Sequence, residues 1–194
     1  MSLEILTATT TEPVTLSQIR AQLRLDPADT DEDALLTRLA TTARQQIERL
    51  AGLSILTQTF RWIYPGSVSP GITTVGGSAR TLSLPRGPVT AVTQISTLTG
   101  SSGWQPLPAT DYTLLPGLPG SIVWQTAIPE SDRIQITFTA GWPSFEEVPA
   151  PLLHAMLLLI AHYHARREPY ENDRLTSVPA TVTSLLAPFR RVSL

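Results

Sequence analysis

Hydrophobic residues recur at helical spacing in the first part of the chain. In "TLSQIRAQL", Thr15 is followed three residues later by Gln18, the spacing of a helix capping box. The apolar positions after Thr15 then fall on one helical face: Leu16, Ile19 and Leu23. The pattern predicts a first helix that ends at about Leu25, because Pro27 disfavours helical geometry in the residue before it.

A longer apolar stripe predicts a second helix in "ALLTRLATTARQQIERLAG". Its members are Leu35, Leu36, Leu39, Ala43, Ile47 and Leu50. Four carboxylates crowd its start: Asp29, Asp31, Glu32 and Asp33. Acidic residues at the positive end of a helix dipole explain this group better than a metal site, since no histidine lies nearby in the sequence.

The pattern changes between residues 57 and 142, where prolines and glycines separate short runs of Thr, Val, Ile and aromatic residues. Apolar and polar positions alternate in "TQTFRWIY" and again in "RIQITFTAGW", which is the period of a half-buried strand. About five or six such runs predict a small antiparallel meander or sandwich.

The most apolar stretch runs from Leu152 to Tyr163 and follows two prolines at Pro149 and Pro151. Prolines are tolerated at a helix start, and about twelve residues are too few to cross a bilayer, which needs about twenty. The stretch therefore predicts a buried helix. Since its apolar residues cover most of its circumference, it must be enclosed on several sides, either within its own chain or by a neighbouring subunit. We expect the second helix and the β region of the same chain to cover it.

The chain closes with a short apolar pattern after Val178-Pro179, made of Val182, Leu185, Leu186 and Phe189. A helix this short is marginal alone in water. It needs a core to pack against, either that of its own chain or that of a partner.

These patterns predict an α+β fold, a small helical bundle with an inserted antiparallel β region. The expected parts are N-terminal helices at 1–56, the β region at 57–142, a core helix at 143–168 and a C-terminal loop and anchoring tail at 169–194. The net charge of −2 gives no basic footprint of a DNA-binding domain. Cysteine is absent, and the N-terminus does not have the pattern of a secretory signal, so we expect a cytosolic site of synthesis and assembly.

No catalytic motif is recognisable, so the chain is predicted to be neither an enzyme nor a cofactor-binding protein. Glu146 and Glu147 precede a helix start, where carboxylates are expected for structural reasons. The three histidines, His154, His162 and His164, are spaced by eight and two residues rather than by the three or four of a helical zinc pair. An alternative function is a ligand- or glycan-binding module that uses the tryptophans of the β region: Trp62, Trp104, Trp124 and Trp142.

The order of the segments resembles the head-tail connector (adaptor) proteins of long-tailed bacteriophages and gene transfer agents. The resemblance is carried by "AQLRLD", "DTDED", "LTQTF", "LPRGPVTAVTQI", "FTAGWP" before a proline-started apolar helix, and the closing "LLAPFRR". It covers nearly the whole chain, and the ordered combination is more specific than any single piece.

The resemblance implies a structural protein of the virion neck that forms a ring, commonly of twelve copies, beneath the capsid portal. Such a ring lines the channel through which DNA passes without sequence recognition, and it docks a tail-side completion or terminator protein. The C-terminal tail typically reaches the portal in this family. That implies portal-binding roles for Val182, Leu185, Leu186, Phe189, Arg190 and Arg191, with the two arginines near acidic groups or DNA phosphates.

Overall fold

A computed structural model describes residues 2–65, 72–75, 79–126, 131–165 and 178–190. The chain divides into two compact units. The β unit contains Met1–Thr9 and Thr57–Gly141, and the helical unit contains Thr10–Leu56 and Trp142–Leu194.

The described part of the helical unit contains four α-helices. They are Leu16–Leu23 (α1), Asp33–Ala51 (α2), Ala150–Ala165 (α3) and Ala180–Leu186 (α4). The capping box predicted for α1 is confirmed, because the Gln18 backbone N–H donates to Thr15 Oγ1 and the Gln18 side chain accepts from the Thr15 N–H. The helix ends two residues before the predicted point, since Arg24 takes a left-handed conformation with φ 57°.

The core of the helical unit lies between α2 and α3, with α1 and α4 packed onto it. The fully buried side of α2 consists of Leu36, Ala40, Ala43, Ile47 and Ala51. Three members of the predicted stripe, Leu35, Leu39 and Leu50, are only half-buried. The buried face is therefore rotated from the predicted one, and the polar pair Arg44 and Glu48 is enclosed with it.

The predicted apolar helix is confirmed as α3. Its fully buried residues are Leu152, Ala155, Met156, Leu159 and Ile160, and they pack in the core of the helical unit. Leu153, Leu157 and Leu158 are half-buried at the margin of that core. Among the described helices, none has the length and apolar character needed to cross a membrane.

The described part of the β unit contains nine strands. They are Ser2–Thr7 (β1), Gln58–Pro65 (β2), Ile72–Val75 (β3), Ala79–Ser83 (β4), Val89–Leu98 (β5), Trp104–Pro106 (β6), Tyr112–Leu115 (β7), Ser121–Trp124 (β8) and Arg133–Ala140 (β9). Five form one antiparallel sheet in the order β1-β2-β9-β5-β6. The other four form a second antiparallel sheet in the order β3-β4-β8-β7.

The two sheets share one core, which makes the unit a sandwich. The alternation predicted for β2 and β9 is confirmed, because Phe60 pairs with Phe138 and Trp62 pairs with Ile136 on the buried face. The rings of Phe60 and Phe138 stack with centroids 5.4 Å apart. The second sheet contributes buried residues such as Ile122 to the same core.

The predicted α+β class is confirmed, but two details of the β region differ from the sequence expectation. Between residues 57 and 142, the described residues contain eight strands rather than five or six. The first strand, β1, was not predicted at all, and it places the first nine residues in the β unit rather than with the N-terminal helices. Its place in the sheet comes from backbone pairing with β2, whose residues are more than fifty positions away in the sequence.

Candidate functional site

The C-terminal segment of the helical unit, which we define as Val178–Arg190, contains most of the residues implicated by the sequence. Pro179 is the N-cap residue of α4, and its carbonyl accepts the N–H of Thr183 at 3.2 Å. The helix α4 follows and continues directly into a 3-10 turn at Ala187–Phe189. The segment is therefore an ordered helical element and not an extended arm.

One face of this segment packs into the chain's own core. Val182 and Leu186 are four residues apart, so they project from the same face, and each is 0% exposed. They belong to the same apolar cluster as α2 and α3. Val182 and Leu186 are thus buried in a core of their own chain.

The remaining implicated residues lie on a more open side. Leu185 and Phe189 are also four residues apart, and both are half-buried at the margin of the helical core. Arg190 is exposed, and Arg191 lies outside the described residues. Among the described members of the implicated set, Val182 and Leu186 thus point inward. The outward group that remains accessible to a partner consists of Leu185, Phe189 and Arg190.

A buried ion cluster fixes the start of the helical unit onto α2. Arg44 Nε and Nη2 donate to the two carboxylate oxygens of Glu12 at 2.8 and 3.2 Å, and Nη1 donates to Glu48 at 3.3 Å. Glu48 also accepts the backbone N–H of Ile55 at 2.9 Å. Burial lowers the pKa of Arg44, but the hydrogen bond to Glu12 and the charge of Glu48 outweigh it, so this pKa lies above its ordinary value.

The acidic turn before α2 is satisfied by contacts within the protein. Asp29 Oδ1 accepts the N–H of Asp31 at 2.9 Å, and Asp33 pairs with Arg20 of α1. Glu32 Oε2 lies 2.8 Å from Nε2 of His164 near the end of α3. These contacts tie α1 and α3 to the start of α2, which gives the acidic residues a structural role.

The other two histidines lie apart from that contact. His154 is exposed on α3, and His162 is half-buried with its ring 5.9 Å from that of Tyr163. Burial raises the pKa of Tyr163, and the nearby charge of Arg49 opposes the shift only partly. In the described part of the chain, no three His, Asp or Glu side chains converge in a way that could hold a metal ion.

The tryptophans do not form a common platform. Trp62 and Trp124 are buried in the core of the β unit, and Trp142 is half-buried in the helical unit. Trp104, on β6, is 38% exposed. An open pocket of about 380 Å³ in the β unit is lined by Ser2, Ile63, Pro65, Asp132 and Arg133, without a tryptophan.

Glu146 and Glu147 lie in a 3-10 turn just before α3, and both are exposed. This position agrees with the structural interpretation of the pair as acidic residues close to a helix start.

Comparison with solved structures gives matches along the whole chain. Neither a scan against protein-family models nor a search of curated proteins found a match. Among solved structures, a chain in the neck of an empty gene transfer agent (GTA) particle, computed with C6 symmetry, superposes with a TM-score of 0.78 at 26% identity. A chain in the virion of a native GTA particle gives 0.77 at 25% identity. Both matches cover 100% of this chain and 97% of the other.

A third structure, the neck of a native GTA particle computed with C12 symmetry, has the same fold with a TM-score of 0.69 at 24% identity, and its coverage is also 100% and 97%. The matches include the helical unit and the β unit together. They support a structural protein of the neck of a gene transfer agent or phage particle.

Proposed function

We propose that this protein is a head-tail connector (adaptor) that assembles as a ring under the capsid portal, lines the DNA exit channel and provides the docking surface for the tail. The observation that carries the proposal is the similarity of the entire chain, both units included, to chains from the neck and virion of gene transfer agent particles. This function requires no catalysis and no cofactor. Its place of action is the neck of the particle, after assembly in the cytoplasm of the bacterial host.

A ring is supported by the cyclic symmetry with which the similar necks were computed. Cyclic rings form when each copy presents two different surfaces that contact each other head to tail. We propose twelve copies, the higher of the two symmetries among the similar necks.

The charge of the chain is compatible with a channel that releases DNA. Proteins that grip DNA neutralise several phosphates with Lys and Arg, and their affinity then depends steeply on salt. Here fourteen arginines are balanced by sixteen acidic residues. A ring of such copies would therefore let DNA pass through its lumen without sequence recognition and without strong retention.

The C-terminal segment is the proposed contact with the portal. In this arrangement Val182 and Leu186 hold α4 on the helical core, while Leu185 and Phe189 offer their partly exposed side chains to the portal. Arg190 and Arg191 would lie beside acidic groups of the portal or DNA phosphates. The opposite side of the ring would receive the tail-side completion or terminator protein.

Removal of the gene from the producing host tests the connector role directly. We expect DNA-filled heads and separate tails to accumulate without joining, and a plasmid copy of the gene to restore complete particles. Heads that still carry tails in the absence of this protein would contradict the proposal, as would a failure to form or fill heads at all.

Binding to isolated portal-bearing heads tests the role of the C-terminal segment. Phe189→Ala should reduce co-sedimentation with heads at least tenfold, because aromatic side chains often supply most of the energy of an interface. Phe145→Ala is the matched control, since Phe145 belongs to the same unit and is exposed on a different element. Equal binding by the two variants would refute the assignment of this segment to the portal.

A further inference from the structure

The strand β1 is exposed along its whole length. It is the end strand of the five-stranded sheet and pairs only with β2 among the strands of the described chain. All six of its side chains are exposed, including Leu3, Ile5 and Leu6. Its outer edge therefore carries backbone N–H and C=O groups that point away from the sheet, next to large apolar side chains.

The register of β1 shows that two of these side chains extend the buried face of the sheet. Leu3 lies opposite Trp62 and Ile5 lies opposite Phe60. Directly opposed residues in an antiparallel pair share one face, and Phe60 and Trp62 both belong to the core of the β unit. Although Ile5 lies beside that core, it is 53% exposed. The apolar face of the five-stranded sheet thus extends beyond the part of it that is buried.

Natural edge strands usually carry features that discourage further pairing, such as lysine, proline or inward-pointing charge. The strand β1 contains neither lysine nor proline. Its one charged residue, Glu4, is paired with Arg61 on the neighbouring strand at 3.3 Å. A register irregularity occurs only toward its end, between Ile5 and Thr7. This edge is therefore unusually open to the addition of another strand.

We infer that the outer edge of β1 is a contact between copies of this chain, where a strand at a sheet edge of the neighbouring copy adds to the five-stranded sheet. The inference rests on the proposed ring, which requires each copy to meet two neighbours through different surfaces. Strand addition supplies backbone hydrogen bonds along the edge and covers Leu3 and Ile5 with side chains of the neighbour. Pairing of β1 with β1 of a second copy would instead give a closed two-fold dimer and no ring.

Incorporation into particles tests this contact in a host that lacks the chromosomal gene. Ile5→Lys places a charge on the edge, and we expect the number of copies per particle to fall at least tenfold. Phe145→Lys is the control, because Phe145 is 51% exposed and lies in a 3-10 turn of the helical unit rather than on a strand. Its incorporation should stay within twofold of the wild type. Both purified variants should melt within a few degrees of the wild type, because neither residue is buried.

The outcomes separate this inference from the proposed function. Equal incorporation of Ile5→Lys and wild type would refute the β1 contact and leave the connector role intact. Absence of the wild-type protein from particles would refute the connector role itself.

A photo-crosslink gives a second readout that does not depend on how the charged variant folds. The chain has no cysteine, so Ile5→Cys can be labelled specifically with a photoreactive maleimide and irradiated in assembled particles. We expect crosslinks from position 5 to a different position on a strand of the β unit of a second copy. Crosslinks to position 5 of another copy, to its helical unit or to portal or tail proteins would overturn the inference, and so would the absence of any crosslink between chains.

Discussion

Replacing Leu186 by alanine tests whether the C-terminal segment is a structural part of the helical unit. The side chain is 0% exposed and packs in the same cluster as Val182 and the buried residues of α3. The substitution removes about three carbons, worth roughly 2.4 kcal/mol of transfer free energy. It also leaves a cavity, which brings typical buried Leu→Ala losses to about 2–5 kcal/mol.

The matched control is Leu185→Ala, which changes the neighbouring residue in the same way. Leu185 is half-buried at the margin of the core, so we expect its replacement to reduce the free energy of unfolding by only about 1 kcal/mol. Urea unfolding followed by circular dichroism at 222 nm reports mainly on the helical unit. With a slope of about 1–3 kcal/mol per molar urea, a loss of about 3 kcal/mol shifts the midpoint by roughly 1–3 M.

The two variants should separate stability from portal binding. Leu186→Ala is expected to lower the midpoint strongly, whereas Leu185→Ala should mainly weaken co-sedimentation with portal-bearing heads. If the unfolding midpoint of Leu186→Ala equals that of the wild type, α4 does not contribute to the helical core in solution. The division of the segment into inward and outward faces would then be wrong.

Three further predictions concern stability. Arg44→Leu should reduce the free energy of unfolding, measured in urea titrations, by about 3–5 kcal/mol, because it leaves the carboxylates of Glu12 and Glu48 without their cation. Arg61→Leu, which breaks an exposed pair with Glu4, should change that free energy by no more than about 0.5 kcal/mol. Leu159→Asp should abolish the helical circular dichroism signal of the helical unit, and Leu157→Asp at the margin of the core should only weaken its stability. Because the pKa of Tyr163 is raised in the folded state, the unfolded chain deprotonates first above pH 10, and stability falls as pH rises. Tyr163→Phe should remove that part of the alkaline loss, as measured by unfolding between about pH 9 and 11; an unchanged slope would show that Tyr163 does not cause it.

The elements predicted well from the sequence are those with strong local signals. The start of α1 was predicted from the spacing of Thr15 and Gln18, and both hydrogen bonds of the capping box are present. The buried helix α3 follows from its continuous apolar run after two prolines, and the strands β2 and β9 follow from alternation over eight residues. In each case the residues that decide the structure are close together in the sequence.

The errors arise where distant residues decide the structure. Half of the predicted stripe on α2 is fully buried, but its other members are half-buried: Leu35, Leu39 and Leu50. The stripe was drawn from apolar residues alone, whereas the buried side also encloses Arg44 and Glu48. That burial is made possible by contacts with Glu12 and with the backbone of Ile55. The four-residue spacing of Arg44 and Glu48 was visible in the sequence, but the approach of Glu12 was not.

The candidate site was predicted only in part for the same reason. An apolar pattern such as that of Val182, Leu185, Leu186 and Phe189 requires a core, but the pattern is identical whether the core belongs to the same chain or to a partner. The structure assigns Val182 and Leu186 to the chain's own core. The strand β1 was missed because it is short and its partner β2 lies more than fifty positions away in the sequence.

The most direct test of the connector role is electron cryomicroscopy of assembled particles that carry a small fused domain on this chain. We expect extra density in a ring at the neck, between the portal and the tail, repeated with the cyclic symmetry of that ring. Matched particles without the fusion should lack this density. Extra density on the capsid surface or along the tail, or purified particles that contain none of the fused chain, would contradict the account.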